Sequence, residues 1–108
     1  MSKVEVVRQI GDVLTQIDTI LSAPDFSPGT PAWQQLFALR KHLDDQQREL
    51  VEEVIDDNTQ QFEALANQLG EAADSVGRVA ADISKIGQIL DRVSLISSLV
   101  DKVLSFVP

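Results

Sequence analysis

The feature that most constrains the fold is an apolar ladder in the C-terminal half of the chain, with alternating steps of three and four residues. Its rungs are Phe62, Leu65, Leu69, Ala72, Val76, Val79, Ile83, Ile86, Leu90, Val93, Ser97, Val100, Leu104 and Val107. All but Ser97 are apolar, whereas the 44% apolar content of the whole chain would give about six apolar rungs by chance. A repeat of about 3.5 residues places every rung on one stripe of an α-helix. The ladder therefore predicts a helix that packs against other helices.

The rows beside the ladder indicate what kind of partner covers it. If Phe62 is position a, the e row contains only small residues: Ala66, Ala73, Ala80, Gly87 and Ser94. The g row ends in Ile89, Ile96 and Val103. A two-stranded coiled coil would use Glu and Lys at e and g, and such charges are largely missing here. The widened stripe favours a bundle of three or more helices, within one chain or between chains.

The first half of the chain predicts two helices separated by one loop. Ser2 and Glu5 have the spacing of a capping box, which begins a first helix over residues 2–22. Residues 23–30 are rich in Pro and Gly and cannot continue this helix. Phe26 is expected to anchor this loop on the bundle. Thr30 followed by Pro31 is a helix start signal, and the second helix is predicted over residues 31–57.

The boundary before the long helix has two interpretations. Asn58 can cap a new helix over residues 59–107, or the second helix can continue to Leu69 and turn at Gly70; the first interpretation is favoured. A straight helix over 59–107 would be about 70 Å long. We therefore expect either a rod or a kink, for which Gly70, Gly77 and Gly87 are the candidates. The predicted fold class is all-α: one domain over residues 1–108, an elongated antiparallel hairpin or bundle of about three helices.

Charge and composition disfavour several classes of function. The chain carries a net charge of −8, and its nine basic residues are scattered, which argues against nucleic-acid binding and against attraction to anionic lipid. It has no cysteine and hence no thiolate metal site. Asp91, Arg92, Asp101 and Lys102 interrupt the apolar C-terminal segment, so it is not expected to span a membrane. The N-terminus lacks a secretory signal pattern, so we expect a cytoplasmic location, with signal-less export left open.

Few residues are candidates for chemistry. An acidic face on the predicted second helix is the strongest of them, and it comprises Asp45, Glu49, Glu52, Glu53 and Asp56. A di-metal site in a bundle needs inward-facing carboxylates and Glu-x-x-His motifs, so this face is interpreted as solvated or as a docking site for a basic partner. His42 is the only histidine and has no predicted nucleophile beside it. Trp33 is interpreted as a core anchor, or as an interface residue. We therefore predict no enzyme activity and no cofactor.

The sequence supports three hypotheses of function. The first is a non-catalytic interaction or assembly module that self-associates through the ladder. The interface residues that it predicts are Leu69, Val76, Val79, Ile83, Ile86, Leu90, Val93, Val100 and Leu104. The second is a membrane-active helical protein, a pore-former subunit or peripheral binder, that uses the segment 86–107. The third is an acidic immunity or chaperone-type protein that neutralises a basic protein partner.

Overall fold

The structure is a computed structural model that describes residues 2–106. Within these residues the chain forms four α-helices: α1 (Lys3–Leu21), α2 (Pro31–Glu52), α3 (Gln60–Val79) and α4 (Ile86–Leu104), with a 3₁₀ turn at Ile83–Lys85. The all-α prediction is confirmed for the described part of the chain, and the predicted number of about three helices is corrected to four. Val107, the last predicted rung of the ladder, lies outside the described residues.

The four helices form a bundle in which α1 and α4 occupy opposite corners. Each of these two helices packs against both α2 and α3. The consecutive pairs α1/α2 and α3/α4 are antiparallel, whereas the side-by-side pairs α1/α3 and α2/α4 run in the same direction. The bundle measures 44 × 23 × 17 Å. It is thus shorter than the rod of about 70 Å that a straight C-terminal helix would have formed.

Asp82 accounts for the difference between the predicted long helix and the observed pair α3 and α4. Its backbone is extended, with φ −117° and ψ 99°. Its Oδ1 accepts hydrogen bonds from Ser84 Oγ at 2.6 Å and from the Ser84 N–H at 3.1 Å. A short acidic side chain can compete in this way with the helical backbone for hydrogen bonds. The chain reverses here, and the three glycines proposed as kinks lie inside α3 and α4 instead.

The connection between α2 and α3 crosses one end of the bundle over residues 53–59. Helix α2 ends at Glu52, five residues earlier than predicted, and the side chain that caps α3 belongs to Thr59 and not to Asn58. Thr59 Oγ1 accepts from the Phe62 N–H at 3.0 Å. Ile55 is buried under the connection, and the Asp56 N–H donates to the Phe106 carbonyl at 2.8 Å. These contacts hold the start of α3 beside the end of α4.

The remaining helix starts follow the sequence signals. Ser2 Oγ accepts from the Glu5 N–H at 3.3 Å, and Thr30 Oγ1 accepts from the Trp33 N–H at 3.2 Å. Phe26 is buried beneath the loop between α1 and α2. Trp33 is half-buried, and its Nε1 donates to the Leu21 carbonyl at 2.9 Å. The first turn of α2 is therefore tied to the last turn of α1.

Polar side chains also join α1 to its two neighbours. Arg40 on α2 donates to both carboxylate oxygens of Asp18, at 2.9 and 3.2 Å. This hydrogen bond raises the pKa of the Arg40 guanidinium above its ordinary value. On the other side of α1, Gln9 and Gln16 lie against Gly70 and Gly77 of α3. Because both pairs are seven residues apart, the two parallel helices keep the same register along their contact.

Candidate binding groove

The ladder residues predicted as an interface divide into two groups in the structure. Leu69, Val76, Val79, Val93 and Val100 are buried in the chain's own core. Ile83, Ile86, Leu90 and Leu104 are half-buried and pack at the margin of this core. A second copy could touch the buried group only if the bundle opened. Self-association through the ladder stays a prediction, and in the closed bundle it would rely on the half-buried group.

The turn at Asp82 changes which row of α4 faces the core. Ile89, Ile96 and Val103 are fully buried, although they belong to the flanking g row of the predicted ladder. The rungs Ile86 and Leu90 are only half-buried, and Leu90 lies at the edge that α4 shares with α2. The start of α4 therefore presents apolar surface beside α2 instead of hiding it.

A surface groove of about 850 Å³ lies along this edge, and we refer to it as the α2–α4 groove. It is lined by Gln35, Ala38, Leu39 and His42 of α2 and by Gly87, Gln88, Leu90, Asp91 and Ser94 of α4. Leu39 and Leu90 are half-buried, whereas Ala38 and Gly87 are exposed. A Cβ atom added at Gly87 would meet no atom within 4 Å. The groove thus has an apolar floor and open space above one helix backbone.

A buried polar cluster lies about one helical turn beyond His42 and Ser94, the last lining residues of the groove on the two helices. Gln46 of α2 and Ser97 of α4 are 3% and 7% exposed. Gln46 Nε2 donates to the Ser97 carbonyl at 3.0 Å and to Asp101 Oδ1 at 2.7 Å, and Ser97 Oγ donates to Gln46 Oε1 at 3.0 Å. The buried side-chain polar atoms of the two residues are all paired. Such a cluster holds the two helices in one register at this level.

Carboxylates continue from the groove along the solvent face of both helices. Asp45 and Glu49 follow His42 by three and seven residues, so they share its face of α2. Asp91 lines the groove itself, and Asp101 lies beyond it, where its Oδ1 accepts from Gln46. These four side chains, Asp45, Glu49, Asp91 and Asp101, are exposed and form what we call the acidic strip. Lys41, Arg48 and Lys102 are exposed near the strip and offset part of its charge.

The other members of the predicted acidic face lie beyond the strip. Glu52 is the last residue of α2, and Glu53 and Asp56 belong to the connection that follows. All three are exposed. The structure therefore divides the predicted face between the end of one helix and a segment without regular structure. Glu52 continues the face of Asp45 and Glu49, because it follows them by seven and three residues, whereas Glu53 and Asp56 lie outside the helix.

The groove combines residues that belong to separate patterns in the sequence. Gly87 and Ser94 belong to the row of small residues that predicted the close approach of another helix, and in the structure they remain exposed. Ala66 and Ala73 of the same row are buried. Gln35, Ala38 and Leu39 were not singled out as candidate site residues. Their role depends on how α2 and α4 are spaced, which no local pattern reports.

The site offers little for covalent chemistry. His42 is exposed and shares the groove with one carboxylate, Asp91. Within residues 2–106, no cluster of His, Asp or Glu is placed to hold a metal ion. None of the helices in this range has the length and apolar content needed to cross a membrane.

The chain was compared with protein-family models, with curated proteins and with solved structures, and no match was found in any of the three comparisons.

Proposed function

We propose that this protein is a non-catalytic helical module that binds another protein through the α2–α4 groove. The observation that carries the proposal is the open space over Gly87, next to the half-buried Leu39 and Leu90. The long hydrophobic rows of all four helices are otherwise turned into a common core. Large apolar residues are also exposed outside the groove, namely Val4, Phe37, Val51, Val54 and Leu95. An apolar recess with a polar rim is typical of a site that binds an apolar side chain of another protein.

The test is affinity capture from the source organism with matched variants of the full chain. Ala38 lines the groove and Ala64 lies on α3, and both are exposed helical alanines. Ala38→Glu is expected to lose a protein that the wild type and Ala64→Glu both retain. If both variants retain every protein that the wild type captures, or if nothing is captured specifically, the proposal fails.

Self-association is the second candidate, because Ile86 and Leu90 keep part of their apolar surface in the closed bundle. A dimer that pairs the two grooves would cover Leu90 in both copies. Sedimentation velocity over micromolar concentrations distinguishes this candidate. A concentration-dependent dimer that Leu90→Ser abolishes would support it, and a monomer throughout would remove it.

The membrane-active alternative requires a rearrangement. Val93, Ile96 and Val100 are buried, so α4 would have to leave the bundle before its apolar face could reach lipid. The acidic strip also opposes approach to an anionic membrane surface. Dye release from vesicles of stated composition tests this alternative, and the absence of release at any pH would end it.

A further inference from the structure

We propose that the occupant of the α2–α4 groove is a basic amphipathic helix of a partner protein. One large apolar side chain of that helix would lie over Gly87, between Leu39 and Leu90. Its Lys or Arg side chains would reach the acidic strip formed by Asp45, Glu49, Asp91 and Asp101. This inference rests on the proposed function and specifies the chemistry of the partner.

The shape of the groove favours a helix. Its walls are two neighbouring helices that run in the same direction, and it extends over residues 35–42 of α2 and 87–94 of α4. Gly87 and Ser94 are spaced by seven residues, or two helical turns, and neither has a bulky side chain. A helix laid between α2 and α4 can therefore approach the α4 backbone closely over this length, as amphipathic helices do in apolar grooves of other proteins.

The charge around the groove favours a basic occupant. No Lys or Arg is among the lining residues, and Asp91 is. Asp91 of the acidic strip lines the groove, and the other three carboxylates lie beyond it. Lys41, Arg48 and Lys102 are exposed near the strip, and Arg92 donates to Gln88 Oε1 at 3.3 Å. The chain as a whole nevertheless has a net charge of −8. Opposite charges at the rim of an interface accelerate association and reject partners of the wrong sign.

The negative charges around the groove disfavour two other occupants, a second copy of this chain and an anionic lipid surface. A second copy of this chain would place its own Asp91 and acidic strip against the first, and like charges in an interface oppose binding. An anionic lipid surface would be repelled as well. Both remain distinguishable outcomes of the experiment, because a dimer is detected by sedimentation and lipid binding by vesicle flotation.

The experiment uses a synthetic peptide as the probe. It has about 18 residues of leucine and lysine in a helical pattern, long enough for five turns. A scrambled peptide of the same composition and a leucine–glutamate peptide in the same pattern are the controls. Fluorescence anisotropy with the full-length protein gives the affinities, and amide shifts in ¹H–¹⁵N spectra locate the site. The patterned basic peptide is expected to bind at least about tenfold more tightly than either control.

Variants of the protein test the position of the apolar anchor. Gly87→Phe fills the open space without meeting another atom at its Cβ, and it is expected to weaken peptide binding by at least about tenfold. Ala64→Phe on α3 is the matched control and should leave the affinity unchanged. Asp91→Lys should weaken binding and reduce its dependence on salt. Circular dichroism verifies that each variant is folded.

The results separate this inference from the proposed function. If Ala38→Glu abolishes capture of a natural partner but the patterned basic peptide binds no better than its controls, the groove binds a partner of different chemistry and this inference is wrong. Amide shifts confined to the α1–α3 face, or unchanged affinity in Gly87→Phe, would also overturn it. Peptide-induced shifts at Ala38, Leu39 and Leu90 that Gly87→Phe removes would establish it.

Discussion

Gln46 and Ser97 exchange two hydrogen bonds across the contact between α2 and α4. Gln46 Nε2 donates to the Ser97 carbonyl, and Ser97 Oγ donates to Gln46 Oε1, both at 3.0 Å. Because both residues are buried, neither side chain can replace its partner with bulk water. This pair sets the register of the two helices just beyond the end of the α2–α4 groove.

Removal of one member of this pair is expected to destabilise the bundle. Ser97→Ala leaves Gln46 Oε1 without its donor, and Gln46→Leu leaves the Ser97 hydroxyl without its acceptor. Each variant should lower the free energy of unfolding by about 1–3 kcal/mol, the usual range for an unpaired buried polar group. Urea denaturation of the two single variants and the double variant measures this. The double variant should lose less than the sum of the single losses; additive losses would show that the pair is not coupled.

Substitution by alanine is expected to change the stability of the protein differently at two glycines of α3. At Gly77 an added Cβ would lie 3.7 Å from Gln16 Nε2, which is an ordinary contact, whereas at Gly70 it would lie 3.1 Å from Gln9 Nε2. Gly77→Ala should therefore raise the free energy of unfolding by about 0.5–1 kcal/mol, because alanine loses less backbone entropy in a helix. Gly70→Ala should raise the free energy of unfolding less than Gly77→Ala does, or should lower it. Thermal denaturation of both variants decides the order, and a larger gain for Gly70→Ala would contradict the packing described here.

The turn at Asp82 predicts a depressed carboxyl pKa. Hydrogen bonds from the Ser84 hydroxyl, and then from the Ser84 N–H, stabilise the charged form and lower the pKa of Asp82 below its ordinary value. The contribution of these bonds to stability is present above the unfolded-state pKa and is lost as the pH falls through the lower folded-state pKa. A carboxyl titration by NMR checks the direction of the shift.

Ser84 variants provide the control for this titration. Ser84→Ala removes the hydroxyl hydrogen bond, which is the largest cause of the lowered pKa of Asp82, and should therefore raise that pKa. Ser84→Thr keeps a hydroxyl and should leave the pKa of Asp82 low. An Asp82 pKa that is the same in the wild type and in Ser84→Ala would show that the hydroxyl does not stabilise the turn.

The all-α fold was predictable from the sequence, but the end of α2, the cap of α3 and the reversal at Asp82 were not. The ladder correctly indicated helices that are covered by other helices, and Thr30 with Pro31 marked the start of α2. The break at Asp82 was missed because Val79, Ile83 and Ile86 keep the steps of four and three across the turn. A periodic pattern cannot distinguish a continuous helix from two helices whose spacing happens to agree. The hydrogen bonds of Asp82 with Ser84 decide between them.

The candidate site was predictable only in parts. The small residues Gly87 and Ser94 indicated that another helix could approach, and Asp45 and Glu49 were recognised as exposed acids. Their assembly around one groove depends on the spacing of α2 and α4 in three dimensions. Leu39 illustrates the limit: its apolar side chain predicts burial, but only the packed bundle shows that it remains half-buried beside Leu90.

Site-specific photo-cross-linking in cells of the source organism shows directly whether a protein occupies the α2–α4 groove. A photoreactive residue replaces Ala38, which lines the α2–α4 groove, or Ala81, which is exposed at the edge between α1 and α3. We expect a discrete cross-linked protein from position 38 and none from position 81. Cross-links of equal yield from both positions, or from position 81 alone, would contradict it.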